Sequence, residues 1–240
     1  MIECSLRPST LLRWLLLSGI ILVLLHLIAV TIYFGDLFDW RETYSIHYWH
    51  ISIFDLDEEE SFGTWFSSFI LLFSSLLLWL ETIATPAASR WQRRGWGVLA
   101  MGFAYLSLDE VVGLHEYLNS LLKETPWTDV ALPVVAVLGL IYIPFLLRLP
   151  GRQRWLFLLA GSIYVGGAVG VERYTDWYQE ADLMNTLPYN LWNALEEGME
   201  MGGVILFIYA LLRQRFAPLG QPTVLRVGKE LPDRPGEEGS

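Results

Sequence analysis

Six apolar stretches recur along this chain, and each is close to the length that carries an α-helix across a bilayer, about 20 residues. They fall near residues 11–34, 62–80, 96–122, 128–147, 155–177 and 190–212. Lipid offers no hydrogen bonds to bare backbone, so segments of this kind must satisfy themselves as helices. The expected fold is therefore all-α: a polytopic integral membrane protein with a six-transmembrane-helix bundle over residues 1–216. Composition agrees, because 240 residues with 53% hydrophobic content and mean hydropathy +0.39 exceed what a soluble domain carries. Eleven tryptophans and eleven tyrosines suit the two interfacial belts of such a bundle. The first run is longer than a usual signal-peptide core and lacks a clear small-residue cleavage site, so it reads as a retained span.

Charge placement sets the expected orientation. Arg7 and Arg13 lie at the head of the first span, and Arg90, Arg93 and Arg94 follow the second. Arg148, Arg152 and Arg154 follow the fourth, while Arg213 and Arg215 follow the sixth. Alternate loops are acidic or nearly neutral. Basic loops stay on the cytoplasmic side, so both termini are expected there, in a cell membrane. The net charge of −10 excludes nucleic acid as a partner, since phosphate binding needs clustered Lys and Arg. The lone cysteine, Cys4, excludes an intrachain disulfide and any multi-cysteine metal site.

Between the first two spans, residues 35–61 combine Phe38, Trp40, Tyr44, Tyr48, Trp49 and Phe54 with His47, His50 and the run DLDEEE. This outer loop reads first as an interfacial segment with a solvated acidic end. Its second reading is a lid or a cation-collecting mouth. Pro133 and Pro144 predict a bend or local unwinding in the fourth span. Residues 217–240 are rich in Pro, Gly and charge and predict a disordered cytoplasmic tail. The helices show no repeat of the kind that builds inverted transporter halves.

Against this apolar background the acidic residues stand out. The stretch AYLSLDEVVGLHEYLN carries Asp109, Glu110, His115 and Glu116. LWNALEEGMEMGG carries Glu196, Glu197 and Glu200, and GGAVGVERYTD carries Glu172, Arg173 and Asp176. An ionisable residue at membrane depth costs roughly 2.5–3.5 kcal/mol on insertion scales. With the expected orientation, these groups and His26 fall in one outer layer. Asp109 and Glu116 are seven apart and share a helix face; Glu196 and Glu200, and Glu172 and Asp176, are four apart and do the same. Gly166-x3-Gly170 and Gly198-x3-Gly202 supply the small residues that let membrane helices approach. Spans three, five and six are therefore expected to pack around one acidic face.

Seven potential anions against Arg173 cannot all remain ionised in a confined space. They must be partly protonated, bridged by cations, or opened to water. The first expectation is a divalent metal (iron, manganese or zinc) in a membrane enzyme, because carboxylates with one or two imidazoles suit those ions. Asp109, His115, Glu116, Glu172, Glu196 and Glu200 are the leading ligands, with His26, Glu110, Asp176, Glu197 and Arg173 as secondary participants. The chain has neither the Glu-x-x-His of helical dimetal sites nor HExxH, and too few histidines for a His-rich membrane desaturase. The alternatives are a cation or proton transporter or channel, or an accessory protein with a structural acidic network. The bilayer is the one partner implied, and the ligand, whether small molecule, lipid or cation, is left open. For His26 alone, packing is the stronger expectation; His115, flanked by acids, stands between the two roles.

Overall fold

The long apolar runs are helices. The computed structural model describes residues 2–6, 8–36, 39–84, 90–122, 126–216 and 223–227. Its helices are α1 (Pro8–Phe34), α2 (Trp40–Thr43), α3 (Phe62–Ala84), α4 (Arg90–Val112) and α5 (Leu114–Leu122). They continue with α6 (Trp127–Leu147), α7 (Gly151–Val165), a π-turn (Gly166–Val171), α8 (Glu172–Glu180) and α9 (Leu187–Phe216). Four of the described helical stretches are long and apolar enough to cross a membrane: Pro8–Phe34, Phe62–Ile83, Trp127–Leu147 and Gly151–Glu180. α4 and α9 match them in length but carry the charges that drew notice in the sequence.

α1 shows how the apolar runs are used. Leu15, Gly19, His26, Ala29 and Val30 are buried, a spacing of three to four that marks one helical face. Leu16, Leu17, Ile20, Ile21, Leu24 and Ile28 are exposed on the opposite side. A helix that is apolar all round needs a non-aqueous medium on both faces.

Three local expectations need correction. The third span is not one helix over 96–122: it breaks at Gly113, whose φ of 59° lies in the left-handed region glycine adopts freely. The Gly113 N–H donates to the Asp109 carbonyl at 2.7 Å and closes the end of α4. The fourth span runs helical through Pro133 and Pro144 without unwinding, as membrane helices often do where neighbouring groups absorb the lost bond. Within the stretch 217–240, expected to be a disordered tail, Thr223–Val227 forms β2, antiparallel to β1 (Ile2–Leu6), with Cys4 opposite Leu225. That register puts Ile2, Cys4 and Leu6 opposite Val227, Leu225 and Thr223, a period-two match that a compositional reading misses. Residues 217–222 and 228–240 lie outside the described residues.

α9 is the central helix, packed against α1, α3, α7 and the π-turn. α3 and α4 form a second pair, joined by serine hydrogen bonds to backbone. Ser75 Oγ donates to the Ala100 carbonyl (2.7 Å) and Ser107 Oγ to the Ser68 carbonyl (2.9 Å). Spans five and six thus pack as expected, whereas span three meets span six through side chains such as the Phe103–Phe207 stack, 4.7 Å between centroids. The small-residue contact is offset by one position from the expected glycines. A β-carbon on Gly203 would meet the Tyr164 nitrogen at 2.7 Å and the Ala160 carbonyl at 2.9 Å. One on Gly167 would meet the Glu196 carbonyl at 2.8 Å, while Gly202 faces open space. Near the arginine-bearing end of the bundle, Trp96, Phe145, Phe157 and Phe207 make an aromatic knot. All the acidic candidates lie beyond it, toward the 35–61 loop.

Candidate functional site

The loop between α1 and α3 is fastened to the bundle by its acidic run. Asp55 is buried 3.2 Å from Nδ1 of His26, which is itself fully buried. The same Nδ1 lies 3.0 Å from the Leu56 nitrogen, so it serves Leu56 when bare and Asp55 when protonated, and Nε2 lies 3.1 Å from the Asn190 carbonyl. Tyr48 Oη sits between Asp55 Oδ2 (2.8 Å) and Glu58 Oε1 (2.7 Å). Burial pushes the Asp55 carboxyl up, but the hydrogen bond and charge of His26, the Tyr48 hydroxyl and the Asp57 N–H together hold it below its ordinary range. His26 thus joins α1, the loop and the start of α9 through both ring nitrogens, the packing role expected of it.

Two residues further on, Asp57 crosses to α9. Asn193 Nδ2 donates to its Oδ1 at 2.8 Å, and the Tyr189 hydroxyl approaches its Oδ2 at 3.4 Å. Asn193 stands one turn before Glu196 and Glu197 on the same helix. The start of the acidic run is thus fastened to α9 through Asp57, which joins the site's charges, while Glu59 and Glu60 at its end are exposed, as expected of a solvated end. Sequence periodicity could not find Asp57, because it lies outside every helix.

Below this loop, carboxyl groups from three segments face one another. Glu200 lies within electrostatic reach of Glu110 on α4, Glu196 and Glu172, and faces Tyr164. Glu197 is within reach of Glu200, Glu110, Asp57 and Glu172. The π-turn makes this possible, since Gly167 lets α7 and α8 approach until a β-carbon there would stand 3.1 Å from Glu200 Cγ. π-turns of this kind often accompany functional sites. Glu196, Glu197 and Glu200 each keep part of their surface accessible. One buried oxygen here, Asn193 Oδ1, has no hydrogen-bond partner, while the buried Ser67 hydroxyl is within hydrogen-bonding reach of Glu110. Both residues are about 95% or more removed from solvent, Asn193 at 3% and Ser67 at 5% exposure.

The remaining candidates are committed elsewhere. Asp109 accepts the His115 N–H (3.1 Å) and pairs with His115 Nδ1 (3.0 Å), stapling the break at Gly113. The His115 ring stands 5.3 Å from Trp127, whose Nε1 donates to Glu172 at 2.6 Å. Asp176 accepts from Thr128 (3.0 Å) and Arg173 (3.1 Å), and Arg173 also pairs with Asp129 at 3.0 Å. These contacts tie α6 to α8 at the rim. Glu116 lies on α5, and its side chain is outside the described residues. Among the described residues, no group of three or more His, Cys, Asp or Glu is arranged as a ready metal site.

Residues 14–214 match the family described as Domain of unknown function (DUF8692), and the chain belongs to that family. The match contains the whole carboxyl row, its cover and nearly all of the helical body. No curated protein and no solved structure matches the chain.

Proposed function

We propose that this is a multipass membrane protein whose six long helices all cross the bilayer, with both termini cytoplasmic, and that its carboxyl chamber binds a divalent cation for membrane-embedded enzymatic chemistry. The helical lengths of α4 and α9 and the alternating basic loops support the topology. In that orientation the chamber lies in the outer half of the bilayer, under the 35–61 cover.

One observation carries the cation. Glu110, Glu172, Glu196, Glu197 and Glu200 lie within electrostatic reach across three segments, near the unpartnered buried oxygen of Asn193, while Arg173 is held by Asp129 and Asp176. Buried polar atoms are nearly always paired, so an orphaned oxygen among carboxyls calls for a cation or a donor. The donor set favours a hard ion. Both nitrogens of His26 are engaged, and His115 Nδ1 is taken by Asp109. Carboxyl oxygens thus dominate the donor set, which suits a hard ion such as Mn²⁺ or Mg²⁺. Binding would draw Glu110, Glu197 and Glu200 closer than they stand without the ion. A bound divalent ion would supply Lewis acidity or an activated water, and the protein's own carboxyls would position it.

The test is Mn²⁺ binding by purified protein, read by electron paramagnetic resonance, in wild type and in Glu197→Gln and Glu200→Gln. Wild type should hold the ion, and each amide variant should lose it while staying folded. If the carboxyls are only hydrogen-bonded glue, wild type will take up no Mn²⁺ and the amide variants will be silent. If they relay protons, the variants will block proton flux in liposomes without any Mn²⁺ uptake by wild type.

A further inference from the structure

At the end of the bundle away from the carboxyls, four exposed arginines have no acidic partner. Arg90 and Arg94 lie in the first turns of α4, Arg148 follows α6, and Arg152 lies in the first turn of α7. Among the described residues none of the four makes an ion pair, and Glu81, near the end of α3, is buried. Where acids are at hand this chain uses them, as Arg173 does with Asp129 and Asp176.

These charges are held in place at one elbow. Arg148 lays its guanidinium over the Trp91 ring, 4.2 Å from the centroid, and Trp91 in turn meets Phe145 at 5.9 Å. The stack joins the end of α6 to the start of α4 and fixes a side chain that is otherwise free to turn. Arg94 stands one turn beyond Trp91 on the same helix. On the other flank of Arg148, Arg154 Nη2 donates to the carbonyls of Leu147 (3.2 Å) and Leu149 (3.4 Å). That brings another guanidinium against the same turn. The Arg154 Nε–H is buried and has no acceptor; buried donors are nearly always paired, so the elbow is one acceptor short. Orientation in a membrane needs only the number of positive charges. It does not need guanidiniums stacked and gathered.

We propose that the elbow of α4, α6 and α7 binds the phosphate headgroup of an anionic phospholipid. Gathered like charges draw a counter-anion, and the planar fork of Arg matches phosphate oxygens. The lipid, as the source of that phosphate, follows from α4. Arg94 continues along one helix face into Val98, Met101 and Tyr105, at steps of three and four residues, and all three are exposed. A headgroup on the arginines leaves its acyl chains against that stripe; a free phosphate makes no use of it. This source rests on the proposed crossing of the bilayer by α4 and is independent of the cation.

The experiment gives the purified full chain, in a neutral detergent, equal amounts of phosphatidylglycerol and phosphatidylcholine with the same acyl chains. Bound lipid is read by native mass spectrometry. Phosphatidylglycerol should be retained in excess, and Arg94→Ala and Arg148→Ala should each cut that excess about five-fold. Arg148→Lys keeps the charge but loses the planar stack, so it should fall between wild type and Arg148→Ala even if the alanine variant folds poorly. Arg41→Ala removes the same charge from the 35–61 loop and should change nothing. Equal uptake of the two lipids, an equal loss in Arg41→Ala, or displacement of the lipid by inorganic phosphate would overturn the proposal. A thiol introduced by Met101→Cys in a Cys4→Ser background separates the two failures. In phosphatidylcholine vesicles it should resist a water-soluble maleimide; labelling would overturn the crossing of α4 and the lipid source together, whereas indifference to phosphatidylglycerol with this thiol protected would overturn the headgroup site alone.

Discussion

Replacing His26 by alanine is the sharpest probe of how the cover is held. The imidazole is fully buried and accepts the Leu56 N–H at 3.0 Å, with Asp55 Oδ1 3.2 Å away. Its loss orphans one buried backbone donor, which costs about 1–3 kcal/mol. Where Nδ1 is protonated, the loss instead removes a partner from a buried carboxylate, whose remaining bonds come from Tyr48 and the Asp57 N–H, at a similar cost. The Asn190 carbonyl contributes little, because it keeps a helical partner within α9. The expected destabilisation is about 1–3 kcal/mol. Reversible unfolding in mixed micelles gives the magnitude, and hydrogen exchange at residues 55–58 reports the cover separately. Asp55→Asn should cost less, since an amide can still bond Tyr48. The reasoning fails if His26→Ala unfolds within about 0.5 kcal/mol of wild type or leaves exchange at Leu56 unchanged.

Other outcomes follow from the same geometry. Gly203→Ala should destabilise by about 1–3 kcal/mol, because its β-carbon meets backbone atoms that cannot step aside; Gly202→Ala, facing open space, should be nearly neutral in the same unfolding assay. The Asp55 carboxyl is held below its unfolded value near 3.9, so its contribution is fully present above that pH and is lost as pH falls through the lower folded value. Acid titration of unfolding should show that loss below about pH 4, and it should be absent in Asp55→Asn. Reporter fusions in the 35–61 loop and after Phe216 should report opposite sides of the membrane; the same side would refute the six-span topology.

The helices were legible because apolar runs of bilayer length leave a chain little else to form; five of the six long stretches lie within about four residues of their sequence bounds, and the third, expected over 96–122, is divided at Gly113 into α4 and α5. The acidic residues of α9 were legible for the converse reason: charge in an apolar helix is conspicuous. What periodicity could not supply was register across helices. Gly166, Gly170, Gly198 and Gly202 could not be told in sequence from Gly167, whose β-carbon would meet the Glu196 carbonyl, or from Gly203, whose β-carbon would meet the Ala160 and Tyr164 backbone. The Gly113 break hid in an unbroken apolar pattern, and it turned Asp109 and His115 toward each other. Asp57 and Ser67 were invisible as site residues, one among the five acids of the run DLDEEE and the other among the small polar residues of α3. Their significance comes from long-range contacts with Asn193 and Glu110.

Mn²⁺ occupancy of purified wild-type protein as a function of pH tests the central claim most directly. Carboxyl ligands must be deprotonated to bind, so occupancy should be substantial near pH 8 and fall steadily as the pH is lowered toward 5. Protein that stays folded across that range and binds no Mn²⁺ at any pH would contradict it.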